Sequence, residues 1–405
     1  MADSIETTPS RAIPRGVWVL GFVSLFMDVS SEMVHSLLPV FMVSALGAGA
    51  FAVGLVEGVA EATALIVKVF SGTLSDYLGR RKELAAFGYG LGALSKPLFA
   101  LAGTVNGVLA ARFIDRIGKG MRGAPRDALV ADLTPEPIRG AAYGLRQSLD
   151  TVGAFLGPVL AMALMLLWAG DFRKVFWFAV IPGILSVTLL LSGVREPEAS
   201  KKPGEPRSPV HWRTLKLFDK AYWWVVAVGA VFTLARFSEA FLILRARQNG
   251  LSDALAPTVL VLMNAVYAST AYPAGKLADR MDRRLLLAAG LLVLLLADLA
   301  LARAEGLTLV AVGIALWGLH MGITQGLLAT MVAAAAPSHL RGSAFGFFNL
   351  AGGCAMLAAS MLAGLLWEQF GAPSTFYAGA AFSAAALVLL AAKPADTIPT
   401  ERRLS

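Results

Sequence analysis

The sequence predicts an all-α membrane protein with twelve transmembrane helices in two pseudo-symmetric six-helix bundles. Three observations predict it. The 405-residue chain is 57% hydrophobic and 15% charged, where a soluble domain carries roughly 25% charged residues. Its apolar residues come in runs of about 20, the length of a helix that crosses a bilayer. A spanning barrel would show alternating segments of about ten instead. Finally, the second half repeats the first. Gly72-Thr-Leu-Ser-Asp76 returns as Gly275-Lys-Leu-Ala-Asp279, Arg139-Gly-Ala-Ala-Tyr-Gly144 as Arg341-Gly-Ser-Ala-Phe-Gly346, and Pro135 as Pro337.

In chain order, the expected spans of the first half are 16–43, 51–74, 84–103, 107–131, 142–168 and 173–193. A polar stretch follows, with Pro197, Pro203, Pro206 and Pro209 among Lys201, Lys202 and Arg207. Such a composition buries no core and reads as a connector. The expected spans of the second half are 222–244, 254–275, 284–302, 307–333, 342–366 and 374–392. The domains are thus a bundle over 1–194, a linker over 195–220 and a bundle over 221–405. Parallel six-helix repeats of this kind enclose a cavity near the midplane.

The net charge of +8 sits in short loops. Arg80, Arg81, Lys82, Arg280, Arg283, Arg284, the linker and both termini lie on one side, while the loops at 44–50 and 103–106 carry no charge. Lys and Arg stay cytoplasmic, so both termini are expected inside a cell (inner) membrane. The partners expected are the lipid bilayer, a small-molecule substrate and protons. Nucleic acid is not expected, because no soluble domain carries the charge, and the protein is expected to be a monomer. One cysteine, Cys354, excludes a disulfide framework. Residues 1–15 have no apolar run of their own, so no cleaved leader is expected. Without a phosphate-binding Gly-x-x-x-x-Gly-Lys-Ser/Thr loop, ATP-driven work by this chain is disfavoured. No enzyme activity, cofactor or resident metal is expected, and two repeats do not make the ring of a channel filter.

The stretch Gly72-Thr-Leu-Ser-Asp76-Tyr-Leu-Gly79-Arg80-Arg81-Lys82 matches every fixed position of the Gly-x-Leu-x-Asp-x-x-Gly-Arg-Arg-Lys pattern of the major facilitator superfamily. The chain resembles that superfamily along nearly its whole length, and the second copy departs with Asp282 in place of the last glycine. The resemblance implies the major facilitator fold, secondary transport, and a cytoplasmic gate held by Asp76 facing the start of span eleven near Gly342. A second pattern, Gly144, Gly153 and Gly157-Pro158 in span five, resembles the antiporter motif of the drug–proton exporters. It is partial, because Ala161 and Met162 stand where paired small residues are usual. It implies export. On physical grounds alone, Gly153 and Gly157 permit close helix packing and Pro158 bends the span, which carries no direction.

Ionisable residues inside spans are costly and mark pathways. In span one, Asp28, Glu32 and His35 are four and three apart and share a face. Two neighbouring carboxylates in low dielectric do not readily ionise together, so one is suited to take up and release a proton. Span two holds Glu57, Glu61 and Lys68. Glu57 is expected to be solvated at the outer mouth, and Lys68 to pair internally with Glu61. Span four is basic, with Arg112, Asp115, Arg116, Lys119, Arg122, Arg126 and Asp127; Arg116 to Gly120 resembles the superfamily's Arg-x-x-x-Gly motif, associated with proton transfer, although Arg112 also fits as its arginine. Span five adds Arg146 and Asp150. Arg116, Arg122 and Arg146 are expected to tune the carboxylates and to hold an anionic group of the substrate. A static structural network is the alternative.

The second half offers Arg236 and Glu239, with Asn264, Tyr267, Trp317, His320, Met321, Gln325 and Asn349 as a wall for an organic molecule. The function expected is proton-coupled export of a small organic compound. The alternatives are uptake of an organic anion or metal chelate, and metal-ion transport by Asp28, Glu32, Met33 and His35 facing His320 and Met321.

Overall fold

The structure, a computed structural model, describes residues 12–196, 215, 217–278, 280–337 and 340–392. Among them, eleven helices are long and apolar enough to cross a membrane. A twelfth, Val105–Leu133, has the length but too much Arg, Lys and Asp for its hydropathy to qualify. The first six spans are Arg15–Ser44, Ala50–Leu78, Arg81–Leu101, Val105–Leu133, Arg139–Leu167 and Phe172–Gly193. Spans seven to twelve are Lys220–Gln248, Thr258–Ala278, Arg283–Ala302, Leu307–Ala335, Arg341–Phe370 and Ala372–Ala391. Polar side chains start several of them: Thr104, Asp171 and Asp219 each accept a backbone N–H of the following first turn, satisfying donors that a helix leaves open.

The stretch that begins at Gly72 is mostly helix. Span two runs on to Leu78 and stops at Gly79, whose φ of 60° is left-handed and suits glycine. Span three then starts at Arg81. Glu196 Oε1 accepts from the Arg81 N–H at 2.6 Å and the Lys82 N–H at 3.3 Å, capping span three from the end of span six. Arg81 also bonds Asp132 of span four. The turn is thus tied down within its own half. In the second copy, Asp282 caps span nine by accepting from the Arg284 N–H at 2.9 Å, which a glycine at that position would not do. The side chain of Asp76, residue Asp279 and most of the linker lie outside the described residues, so the expected gate contact does too.

Three apolar clusters set the shape. One runs through both halves, joining Val40, Phe41 and Val53 to Phe241, Ile243 and Ala363. The other two lie at the opposite end, near the termini. One is confined to the second half around Tyr222, Leu287 and Val332, the other to the first half around Leu20, Tyr89 and Leu129. The halves are therefore fused away from the termini and separate toward them.

Candidate functional site

Between the halves lies a cavity of two connected chambers. The wider, of about 410 Å³, is lined by Asp28, Lys68, Arg122, Asp150 and Tyr267 among others. The inner one, of about 230 Å³, is lined by His35, Glu57, Arg116, Arg236 and Glu239 among others. They share Glu32, Glu61, Lys119, Ala154 and Asn264. The smaller chamber alone would suit only a few atoms, but together they fall in the size range of small-molecule sites.

The direction of opening follows from spans two and eleven. A Cβ built on Gly364 would stand 2.6 Å from the Ala50 carbonyl, and one on Gly58 3.2 Å from Leu357 Cα. At Gly353 the nearest neighbour on span two is Ala62 at 3.5 Å, and at Gly352 and Gly342 nothing among the described residues lies within 4 Å. The two helices part toward the side that carries the termini, and the wider chamber opens there.

Two sets of ion pairs line or back the walls. In the inner set, His35 stands between two carboxylates, with Nδ1 3.2 Å from Glu32 and Nε2 3.6 Å from Glu57. Glu57 accepts from Arg112 at 2.7 Å. Asp115 is held by Lys96 at 2.7 Å, with Arg116 and Arg112 at 3.8 and 3.9 Å. Arg116 reaches Glu61 at 3.3 Å. In the outer set, Arg122 lies 3.5 Å from Asp28 and stacks on the Tyr89 ring. Arg146 bonds Asp150 at 2.5 Å and Arg126 lies 3.7 Å from it. Buried charges of this kind require partners, and spacing of three and four on span four presents its bases to spans one, two and three at once.

Several expected residues meet here and others do not. Asp28, Glu32, His35, Glu61, Arg116, Lys119, Arg122, Asp150, Arg236 and Glu239 line the chambers, and Arg146 backs Asp150. Arg236 and Glu239 flank the break between the two helical pieces of span seven, Lys220–Ala235 and Ala240–Gln248. There the cation sits at a helix C-terminus and the anion at an N-terminus, each favoured by the dipole. Gly153 and Gly157 lie buried against span one.

Glu57 is a correction: it is 1% exposed and paired, not solvated, because Arg112 projects from span four into the same layer. Lys68 does not pair with Glu61, which Arg116 takes; it faces the wider chamber. Trp317 and His320 are 0% exposed and turned into the second half's own core, with His320 Nδ1 2.8 Å from the Gly290 carbonyl. Met33 is equally buried and lines neither chamber. The proposed metal set is therefore not assembled, and among the described residues no three His, Cys, Asp or Glu side chains gather as a metal site.

The model of the major facilitator superfamily matches residues 20–246 and 228–404. The chain belongs to the major facilitator superfamily. Within this superfamily it is 30% identical over 365 residues to an uncharacterised MFS-type transporter of Methanocaldococcus jannaschii, covering 88% of this chain and 90% of that one. It is 26% identical over 222 residues to the quinolone resistance protein NorA of Staphylococcus aureus, 54% of each chain. Among solved structures, a POT family transporter in complex with 5-aminolevulinic acid aligns with TM-score 0.80 at 15% identity, over 96% of this chain and 98% of that one. The nucleoside transporter NupG aligns with TM-score 0.78 at 13% identity, over 93% and 99%. The protein is thus a multi-pass transporter with the major facilitator fold.

Two charged residues of this superfamily member escaped the sequence reading. Lys96 in span three is 1% exposed and holds Asp115. Asp298 in span nine is 0% exposed, with neither carboxyl oxygen hydrogen-bonded among the described residues. A signal for both existed: they occupy repeat-related positions, at the offset that relates Arg139 to Arg341.

Proposed function

We propose that the chain is a secondary active transporter working by alternating access, which exchanges protons entering the cell for a small organic compound leaving it. One observation carries this reading. Asp28 and Glu32 have side chains on the wall of an open chamber, while Gly153 and Gly157 of the antiporter-like pattern lie against their Cβ atoms. The excess of Lys and Arg on the open side supports a cytoplasmic position for it, where an exporter loads. The local likeness to NorA supports organic export.

In this mechanism the units 1–194 and 221–405 rock about the cavity and the linker 195–220 spans them. A proton on Asp28 removes the charge that Arg122 faces at 3.5 Å, freeing that guanidinium to change partner. Glu32 shares His35 with Glu57, so a proton arriving at Glu32 is felt through the same ring on span two, the helix that packs against span eleven of the other half. Asp150 and Arg146 form the equivalent pair on span five. Gly72, Asp76, Gly79, Arg80 and Arg81, with Asp279 as the second copy, form the cytoplasmic gate in the state that closes this side.

The test is flux in proteoliposomes under an imposed pH gradient, with Asp28→Asn, Glu32→Gln and the double variant. Coupled flux is expected to fall in the singles and vanish in the double. Proton-driven flux unchanged in all three would overturn the assignment. Uptake driven by inward proton flow, in place of extrusion, would reverse the direction.

A further inference from the structure

Most charges around the chambers are already spoken for, and the exceptions have one predominant sign. Glu57 has Arg112, Glu61 has Arg116, Asp28 has Arg122, Asp150 has Arg146, Asp115 has Lys96, and Glu32 has His35. Lys68, Lys119 and Arg236 line the chambers with no carboxylate of the described residues within 4.0 Å. Lys68 and Lys119 are exposed to the chamber. Glu239 is the unpaired acid set against them. Lys119 lines both chambers from the first half, and Arg236 lines the inner one from the second. Like charges thus stand on facing walls, and an opposite charge between them would turn repulsion into attraction across the seam.

We propose that this transport site takes an organic anion, whose carboxylate or phosphate is held between Lys119 and Arg236 after passing Lys68. The inference rests on the transporter reading above and narrows its substrate. It also moves the recognition role from Arg116, Arg122 and Arg146, which are occupied by carboxylates, to the cations that are not. Leu260, Phe237, Met356 and Tyr267 supply apolar wall for the organic part. Arg236 offers planar, two-pronged donation to a carboxylate, while Lys119 acts as a mobile point charge. The bound anion draws the halves together on the open side, so loading itself favours the turn toward the other face.

The experiment is equilibrium stabilisation of the detergent-purified full chain, which needs neither a membrane gradient nor coupling. The probes are benzoate, phenyl phosphate, benzyl alcohol and benzylamine at equal millimolar concentration and constant ionic strength. A ligand that binds the folded state raises the melting temperature. Benzoate or phenyl phosphate is expected to stabilise, and the neutral and cationic analogues are not. Lys119→Gln and Arg236→Gln are each expected to weaken the anion by about tenfold or more, the worth of one charged hydrogen bond. Neither variant orphans a carboxylate, so both should fold; Lys174→Gln, in the first turn of span six and outside the cavity, is the control. Stabilisation by benzylamine instead, by none of the four, or by the anions equally in both variants overturns the proposal. Anion binding without proton-driven flux would leave it standing and sink the coupling mechanism. Proton-driven flux of cations alone would do the reverse.

Discussion

Gly157 of span five lies against Glu32 of span one, so close that a Cβ at 157 would stand 2.7 Å from Glu32 Cβ. One turn away, a Cβ on Gly153 would stand 3.1 Å from Asp28 Cβ and 2.7 Å from the Leu25 carbonyl. The two glycines and the two acids are four apart on their own helices, so the helices meet in register. The contact pins the depth and facing of both carboxylates. Gly157→Ala must push span one and span five apart, because the atom it meets is a Cβ rather than a flexible tip. Overpacking of this kind costs about 1–3 kcal/mol. Thermal melting and flux should both fall for Gly157→Ala, while Gly144→Ala on the same helix, with nothing within 4 Å, should change neither. Matching behaviour of the two variants would show that the glycine contact does not set the carboxylates.

The Glu57–Arg112 pair gives a sharper energetic contrast. Both side chains are nearly inaccessible and 2.7 Å apart. Glu57→Leu leaves Arg112 with Asp115 at 3.9 Å as its remaining acid. Removing one partner of a buried pair costs about 3–5 kcal/mol. Glu57→Leu with Arg112→Leu should recover most of that loss, because two apolar side chains leave no stranded charge. Melting of the purified single and double variants decides it; a double as unstable as Glu57→Leu would mean the pair is not the source of the cost. Lys68→Gln should melt with the wild type, since Lys68 holds no acid.

How far the sequence reaches is visible in particular residues. Span lengths, the two-bundle plan and the superfamily follow from apolar runs and the repeat, because a helix in lipid must satisfy its backbone internally and cross a fixed thickness. The one-face spacing of Asp28, Glu32 and His35 is also legible, because helical period alone fixes it. Pairing is not. Glu61 had two candidate bases, Lys68 on its own helix and Arg116 on another, and only the approach of span four decides between them. Depth misleads at Glu57, because a place near the outer end of the helix suggests exposure while His35 and Arg112 close over it. Trp317 is in the core for a reason visible after the fact. It holds the repeat position of Asp115, as Asp298 holds that of Lys96, so the site of an ion pair in one half is an indole and a carboxyl in the other. The Trp317 Nε1 and both Asp298 oxygens lack partners among the described residues. Lys96→Met, which strands Asp115 only partly because Arg112 and Arg116 remain near, should cost less than Glu57→Leu in the same melting assay.

The halves are latched at the end away from the termini by contacts that must break when that face opens. Ser44 at the end of span one donates to Asp253 Oδ2 at 2.6 Å, and Arg247 steadies the same carboxylate at 2.8 Å. Glu368, near the end of span eleven, accepts from the Phe51 N–H at 3.0 Å, at the start of span two. Spans two and eleven run antiparallel, so at this end the N-terminus of span two meets the C-terminal end of span eleven. A carboxylate at a helix N-terminus is worth about 0.3–1 kcal/mol, which is about a two- to fivefold shift in a two-state equilibrium. Glu368→Ala should therefore raise labelling of a cysteine placed at Ser44 by about that factor, in a background with exposed Cys354 changed to Ser. In the same background, Ser44→Cys with Asp253→Cys should cross-link under oxidation, stop flux, and regain it on reduction. Full flux with the cross-link in place would mean that this face stays shut throughout the cycle, and alternating access between these halves would have to be abandoned.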